Sequence, residues 1–473
     1  MNHFFRLLFA LILMSLDLFA AGKTNVIIFL ADDMGYGDCG AFNPQSQIKT
    51  PHINRLAKEG MSFVDAHSAS VTCTPSRYGL LTGINPMRTG VFNTLLKTGR
   101  PIIDVDEMTI ADLFKSEDYQ TWMVGKWHLG FQVKSKARDL TQALQGGPLD
   151  RGFDYFYGLA SSASSSPLYF IRGKRVEKLP TLHVETDKFL ASGKKLTVKN
   201  QLPQGLKLEN ISPKLCADAV GLIEQYAKSA REKPFFLYYA SIAPHQPWVP
   251  SDKFKDKSGL GIYADFVMQI DDELGQINQA LKNADLDDNT LLIFTSDNGT
   301  GPGAHHLMAE KGHYSSGELR GLKASSYEGG HRVPFIAKWP GKIEADSKNQ
   351  SIINGTDCFA TFAELLGVDL KAKHSQVTPD SFSFYKGLLD KAYEYKGLPM
   401  VVRNSIRMGD WKLISTRGKK PFDSLQMNDF ELYNLSSDLA ERDDLKSSHP
   451  ERVQEMHKSL KSFMDQRELK ASK

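Results

Sequence analysis

Residues 25–33 read Asn-Val-Ile-Ile-Phe-Leu-Ala-Asp-Asp, and this stretch decides the fold. Asn25–Leu30 is short, rich in β-branched and aromatic residues, and apolar on both faces. Such a run reads as a buried strand of a parallel sheet. Thr121–Val124, Phe235–Tyr239, Leu291–Phe294 and Val333–Ala337 share its character. Helical patterns fall between these runs. Ile262, Phe266, Ile270, Leu274, Ile277 and Leu281 line one helical face. Thr109 with Asp112 forms a capping box ahead of Leu113 and Phe114. Ser212-Pro213 reads as a helix start, with a capping serine and a proline at the first helical position. The alternation predicts an α/β fold, a large and mainly parallel sheet sandwiched by helices.

The chain has 473 residues, enough for one large domain and a smaller companion. Lys+Arg 58 against Asp+Glu 55 leaves +3, and there is no long single-sign run. That argues against a nucleic-acid or membrane-surface protein. Arg6 precedes the apolar stretch Leu7–Met14, and Ala20, Ala21 and Gly22 follow, which reads as a signal peptide over residues 1–21. Asp17 interrupts the apolar stretch and argues against a retained anchor. With no later span of about 20 apolar residues, the mature chain is expected to lack a membrane span. The short signal peptide and the lack of a disulfide framework fit a periplasmic or secreted protein of a bacterial host. Cys39, Cys73, Cys216 and Cys358 are too few for a disulfide scaffold. Cys216, on an apolar face with Val220, Ile223 and Ala227, reads as core, and so does Cys358 beside Phe359. Past residue 390 come shorter strands, Met400–Val402 and Trp411–Ser415, and a helix from about Pro450. The expected organisation is a catalytic domain over 22–390 and a smaller C-terminal subdomain over 391–473.

In open α/β sheets, ligands bind beyond the carboxyl ends of the strands. Here those ends are polar. The first strand runs into Asp32-Asp33 and the fourth into Asp297-Asn298-Gly299. Each pair alone could be a loop-capping cluster. Together they offer hard oxygen donors suited to Ca²⁺ or Mg²⁺ and poorly suited to Zn²⁺. The second strand ends in Gly125-Lys126-Trp127-His128 and the third in Pro244-His245-Gln246-Pro247. Leu319-Arg320-Gly321-Leu322-Lys323 and Glu328-Gly329-Gly330-His331 precede the fifth. Cations and imidazoles at several strand mouths, opposite a metal, describe a pocket for a small tetrahedral anion.

Cys73-Thr74-Pro75-Ser76-Arg77, with Leu81-Thr82-Gly83 behind it, predicts a helix that Gly83 ends and Cys73 begins. Backbone N–H groups there favour a developing anion. On these residues alone Cys73 is a thiolate nucleophile, a disulfide partner or a modified residue.

C-T-P-S-R with L-T-G closely resembles the sulfatase signature, whose cysteine is converted to Cα-formylglycine during export. L-A-D-D-M-G-Y-G-D, G-K-W-H-L-G, A-P-H-Q-P, T-S-D-N-G, L-R-G-L-K, E-G-G-H-R-V-P, I-R-M-G-D-W-K-L-I and E-L-Y-N-L resemble type I sulfatase segments in order, over about residues 24 to 447. The resemblance implies an alkaline-phosphatase-like α/β fold with a smaller C-terminal antiparallel sheet. It implies one calcium ion, in preference to magnesium, held by Asp32, Asp33, Asp297, Asn298 and the modified Cys73. Arg77 would anchor the hydrated aldehyde, and Lys126 and Lys323 would bind sulfate oxygens. His245 would protonate the leaving alcohol and His128 would act as base. A formylglycine-generating or anaerobic sulfatase-maturating enzyme is the implied partner.

Relatives with the same maturation act on phosphonates or phosphodiesters, and a catalytically silent carbohydrate-binding protein is a further class. The substrate is expected to be a sulfated small molecule or saccharide. Around residues 160 to 210, Ser161–Ser166 precedes a basic patch of Arg172, Lys174, Arg175, Lys178, Lys188, Lys194 and Lys195. It is either a solvated insertion or a cleft wall that attracts a polyanion. Arg172, Lys174, Arg175, His305, His306 and His331 are the candidate substrate contacts.

Overall fold

A computed structural model describes residues 23–92, 100–132, 139–190, 192–370, 380–395, 399–417 and 425–466. The leading segment read as a signal peptide lies outside the described residues. Strands β1 (Asn25–Ala31), β2 (Met61–His67), β3 (Gln120–Lys126), β4 (Tyr155–Leu159), β5 (Phe170–Arg172) and β6 (Arg175–Val176) come first. A hairpin, β7 (Pro180–Phe189) and β8 (Lys195–Pro203), follows. Then come β9 (Phe235–Ala240), β10 (Thr290–Ser296), β11 (Phe335–Lys338) and β12 (Ser347–Asn354). The main sheet has the order β12-β2-β11-β10-β1-β9-β3-β4-β5-β6. It is parallel through β10-β1-β9-β3-β4.

Alternation along each central strand fills two cores. Ile27, Phe29 and Ala31 of β1 pack on one side with Leu237, Tyr239, Leu292 and Phe294. Val26, Ile28 and Leu30 pack on the other with Phe236, Tyr238, Leu291 and Ile293. Successive side chains point to opposite faces, so a strand covered on both sides must be apolar throughout. The helices Ile211–Ala227 and Ile262–Asn283 cover the first face through Leu215, Ile223, Phe266 and Ile270. Cys73–Thr82, Ile110–Ser116 and Asp357–Leu365 cover the second through Tyr78, Phe114 and Phe362. Cys216 and Cys358 are buried in these cores, as expected. Thr109 and Asp112 close their capping box.

Two expectations need correction. The run Val333–Ala337 forms β11 over Phe335–Lys338, and it is antiparallel to both β10 and β2. The chain between β10 and β11 stays at the carboxyl edge of the sheet, and without a crossover the next strand must run back. The helix at Ser212 starts at Ile211 with Asn210 ahead of it. Ser212 Oγ instead donates to Glu273 Oε1 at 2.6 Å, joining two helices.

Strands β13 (Met400–Val402), β14 (Ser405–Met408), β15 (Trp411–Ser415) and β16 (Phe430–Asn434) form a separate antiparallel sheet. Helix Pro450–Asp465 packs Val453, Met456, Leu460 and Met464 against Val401, Ile406, Leu413 and Leu432. A buried polar network ties this sheet to the main one. Arg407 donates to both oxygens of Asp65 at 2.7 Å, and Lys412 meets Glu328 at 2.8 Å and Glu441 at 2.9 Å. His67 and His331 share it, with Nδ1 atoms 2.9 Å apart. Among the described residues no helix is long and apolar enough to cross a membrane.

Candidate active site

The parallel strands deliver their carboxyl ends to one edge. Asp32 and Asp33 follow β1, Asp297 and Asn298 follow β10, Lys126 ends β3, and β9 leads to His245. Gly125, one residue before Lys126, has φ 117° and lies so near β9 that a Cβ would sit 1.8 Å from Ala240 O. Only glycine fits this conformation and this approach. Cys73 opens the helix Cys73–Thr82, and Gly83 ends it in the left-handed conformation.

These residues converge. Cys73 Sγ lies 3.4 Å from Asp32 Oδ1 and 3.7 Å from Asp33 Oδ1, and Lys323 Nζ lies 3.1 Å from Sγ. Lys323 also meets Asp33 Oδ1 at 2.5 Å, and Lys126 Nζ meets Asp32 at 2.7 and 3.0 Å. Arg77 donates from Nε and Nη2 to Asp297 Oδ2 at 3.0 and 2.7 Å, and from Nη1 to Lys126 O at 3.0 Å. His245 Nε2 stands 3.7 Å from Asp33 Oδ2. His128 holds a left-handed φ of 59°, and its carbonyl accepts from Thr74 Oγ1 at 3.1 Å. Three carboxylates thus face three cations in a site almost closed to solvent. Buried ion pairs add little net stability because desolvation offsets their attraction, so this density of charge points to chemistry.

The electrostatics narrows the readings of Cys73. Burial first, then the Asp297 carboxylate, push its thiol far above the ordinary value despite Lys126 and Lys323. It is therefore a thiol at neutral pH, which weighs against a thiolate nucleophile. No disulfide joins it, since Cys39, Cys73, Cys216 and Cys358 are all free. Burial opposes ionisation of Asp32, but Lys126, His245, Arg77 and Lys323 outweigh it and hold the carboxyl well below its usual range.

Part of this donor set could hold a metal ion. Ligand atoms of Asp32, Asp33, Cys73 and His245 lie within 4.8 Å of one another. Asn298 Nδ2 donates to Asp33 Oδ1 at 2.8 Å, while its buried Oδ1 has no partner among the described residues. A buried carbonyl oxygen without a donor is the kind of group that a cation satisfies.

Comparison with known proteins agrees with this geometry. The sulfatase family model matches residues 24–368, and an N-sulphoglucosamine sulphohydrolase C-terminal model matches residues 322–470. The chain belongs to the sulfatase family. It is 34% identical to an N-acetylgalactosamine-6-O-sulfatase of Bacteroides thetaiotaomicron, over 93% of each chain. It is also 34% identical to the N-acetylgalactosamine-6-sulfatase of Rattus norvegicus, over 76% of this chain and 65% of the rat protein. A solved Bacteroides thetaiotaomicron structure, described with the metabolism of multiple glycosaminoglycans, superposes with TM-score 0.82 at 31% identity, covering 94% of this chain and 100% of its own. The fold is alkaline-phosphatase-like, as the sulfatase motifs implied.

The candidate substrate contacts of this sulfatase scatter. β5 runs antiparallel to β4 with Tyr157 opposite Arg172, so the turn from Arg172 to Arg175 lies toward the amino end of β4, away from His128. Arg172 stacks on Tyr157 and pairs with Glu177 and Asp218, and Lys174 pairs with Asp150 at 2.6 Å. These three form no wall of the site. His331 is wholly buried against His67, so it offers no surface to a substrate. His305 and His306 lie on the helix Pro302–Ala309 that leaves the Asp297 loop. The β7–β8 hairpin tip rests on it, since a Cβ at Gly193 would come within 2.5 Å of His306 Cδ2. Sequence reasoning passed over Asp38, Tyr263, Thr300 and His313, which pack beside Asp33. Only Asp38, the last residue of L-A-D-D-M-G-Y-G-D, carried a signal.

Proposed function

We propose that this sulfatase hydrolyses the sulfate ester of a carbohydrate, with residue 73 oxidised from cysteine to formylglycine and one calcium ion beside it. The observation that carries the reading is Cys73 Sγ at a buried helix start, in contact with Asp32 and Lys323. A hydrated aldehyde there supplies two hydroxyls on one carbon, one to attack sulfur and one to release sulfate, while the cation lends Lewis acidity. Asp32, Asp33, Asp297 and Asn298 would hold the cation. Magnesium suits them less, because it keeps several waters and these residues are 0–6 % exposed.

The chain's own residues divide the remaining work. Lys126 and Lys323 turn from Asp32 and Asp33 toward the ester oxygens, where negative charge develops. Arg77 anchors the site indirectly, by holding Asp297 and the Lys126 carbonyl. His128 takes a proton from residue 73, its left-handed backbone fixed by the Thr74 contact. His245 gives a proton to the leaving alcohol. Burial, opposed by Asp33 and Asp32, pushes its imidazole down to about 4, so it is neutral at rest. A bound sulfate ester, being anionic, would favour its protonated form.

The names of the relatives support a 6-sulfated N-acetylgalactosamine unit as substrate. The His306 helix and the hairpin tip are the nearest candidates to read it. The protein is read as exported, with Cys73 converted by a formylglycine-generating or anaerobic sulfatase-maturating enzyme. The test is sulfate release from a panel of defined sulfated saccharides, with mass spectrometry of the residue-73 peptide. N-acetylgalactosamine 6-sulfate is expected to turn over fastest, and only in preparations carrying formylglycine. Faster turnover of an aryl phosphodiester than of an aryl sulfate overturns the sulfate reading, and equal turnover without conversion overturns the nucleophile.

A further inference from the structure

Four side chains outside this chemistry meet beside Asp33. Asp38, Tyr263, Thr300 and His313 are all 0–1 % exposed and come from four separate places in the chain. Asp38 ends the turn after β1, and Thr300 follows the β10 end. Tyr263 opens the helix Ile262–Asn283, and His313 lies beyond Pro302–Ala309. The Tyr263 hydroxyl donates its one proton to Asp38 Oδ2 at 2.5 Å and accepts from Thr300 Oγ1 at 3.2 Å. The backbone carbonyl of Asp33 is 3.4 Å from the same oxygen. Gln47 N donates to His313 Nδ1 at 3.4 Å, so the proton sits on Nε2 and reaches Asp38 Oδ1 at 3.0 Å. Asp38 Oδ2 also accepts from Gly35 N at 2.8 Å.

The network is closed, and it spans the places that matter. Asp33 holds φ 70°, a left-handed conformation uncommon for a non-glycine residue, though aspartate adopts it more readily than most. Thr300 is two residues past Asn298, and its carbonyl accepts from Lys323 N at 2.9 Å. One phenolic oxygen therefore ties the β1 end, the β10 end and the Lys323 loop together. Packing alone does not require an oxygen there, and a buried hydroxyl costs free energy unless bonded.

The geometry points to Tyr263 as a positioning residue that, with Asp38 and His313, fixes the separation of the two strand ends and so sets the affinity for the cation. This rests on the metal reading above. Groups behind the ligands of a metal fix ligand orientation, and their loss typically weakens binding about 10–100-fold.

The test titrates calcium alone into chelator-treated full-length protein by calorimetry, so activity plays no part. Tyr263→Phe removes only the oxygen and is expected to weaken calcium binding about 10-fold or more. Thr300→Val, which removes the donor to that oxygen, is expected to move the same way and serves if Tyr263→Phe folds poorly. Tyr239→Phe is the control. Tyr239 is equally buried and donates to Glu273 Oε2 at 2.9 Å, within the core rather than between the β1 and β10 ends. It is expected to lower the melting temperature with calcium affinity unchanged. Wild-type affinity in both Tyr263→Phe and Thr300→Val overturns the brace and leaves the metal reading intact. A wild-type protein that binds no calcium removes both.

Discussion

The guanidinium of Arg77 lies 2.7 Å from Asp297 Oδ2, with both side chains shut off from solvent. Burial first, then nearby Asp32, push the Asp297 carboxyl up to about 6, while Arg77 and Lys126 oppose that rise. Removing one partner of such a pair strands the other charge, at roughly 3–5 kcal/mol. Arg77→Met is expected to lose about that much in chemical denaturation, and Arg77→Met/Asp297→Asn distinctly less. Equal losses would show that the two charges are not coupled.

Cys73→Ala keeps the helix start and removes the reactive atom. Sulfate release is expected to fall by at least about 10³-fold, since loss of a nucleophile removes one whole branch of the mechanism. The melting temperature is expected to stay close to the parent's. Unchanged turnover in a clean preparation would end the case for residue 73.

The basic cluster at the sheet's other end gives a prediction of the opposite kind. A triple Arg172/Lys174/Arg175→Ala variant is expected to treat saccharide and small aryl sulfates with unchanged relative kcat/KM. Its cost should appear in stability, through the ion pairs lost with Glu177, Asp218 and Asp150. A selective loss on the saccharide would return these residues to the substrate path.

Stability should also carry a signature of the joint between the two sheets. Burial holds His67 and His331 below the ordinary histidine range, and Lys412 adds to the effect at His331. Asp65, Glu328, Arg332, Arg407 and Lys412 crowd the same joint. Between the folded value and about 6.5 the unfolded chain takes up protons that the folded protein refuses, so stability rises with pH and is lost as pH falls. The drop in melting temperature from about pH 7.5 to about 5.5 should therefore be smaller in His331→Gln than in the parent. Parallel curves would place the acid sensitivity elsewhere.

Much of this site was readable before the fold was known. β1, β3, β9 and β10 announce themselves because burial on both faces demands an unbroken apolar run, and polar residues at their ends then fall at one edge. β2, whose sequence Met61–His67 mixes Ser62, Asp65 and His67 with apolar residues, gave no such signal. The reversed direction of β11 depends on a connection that stays at one edge, which no local pattern encodes. The neutralised state of Arg172 is likewise invisible locally, because Asp218 lies 46 residues away. Tyr263 is the extreme case. It sits in an ordinary amphipathic helix, and its partner Asp38 is 225 residues distant.

Cys73 has no accessible surface at all, and its sulfur is enclosed by the ends of β1 and the Lys323 loop. Any second protein that alters this side chain must therefore reach it before those segments close. On the formylglycine reading, folding sets a deadline for maturation. On that reading, a chain that folds first would seal in its thiol and stay inert, and the active fraction of a preparation would record a race rather than an equilibrium.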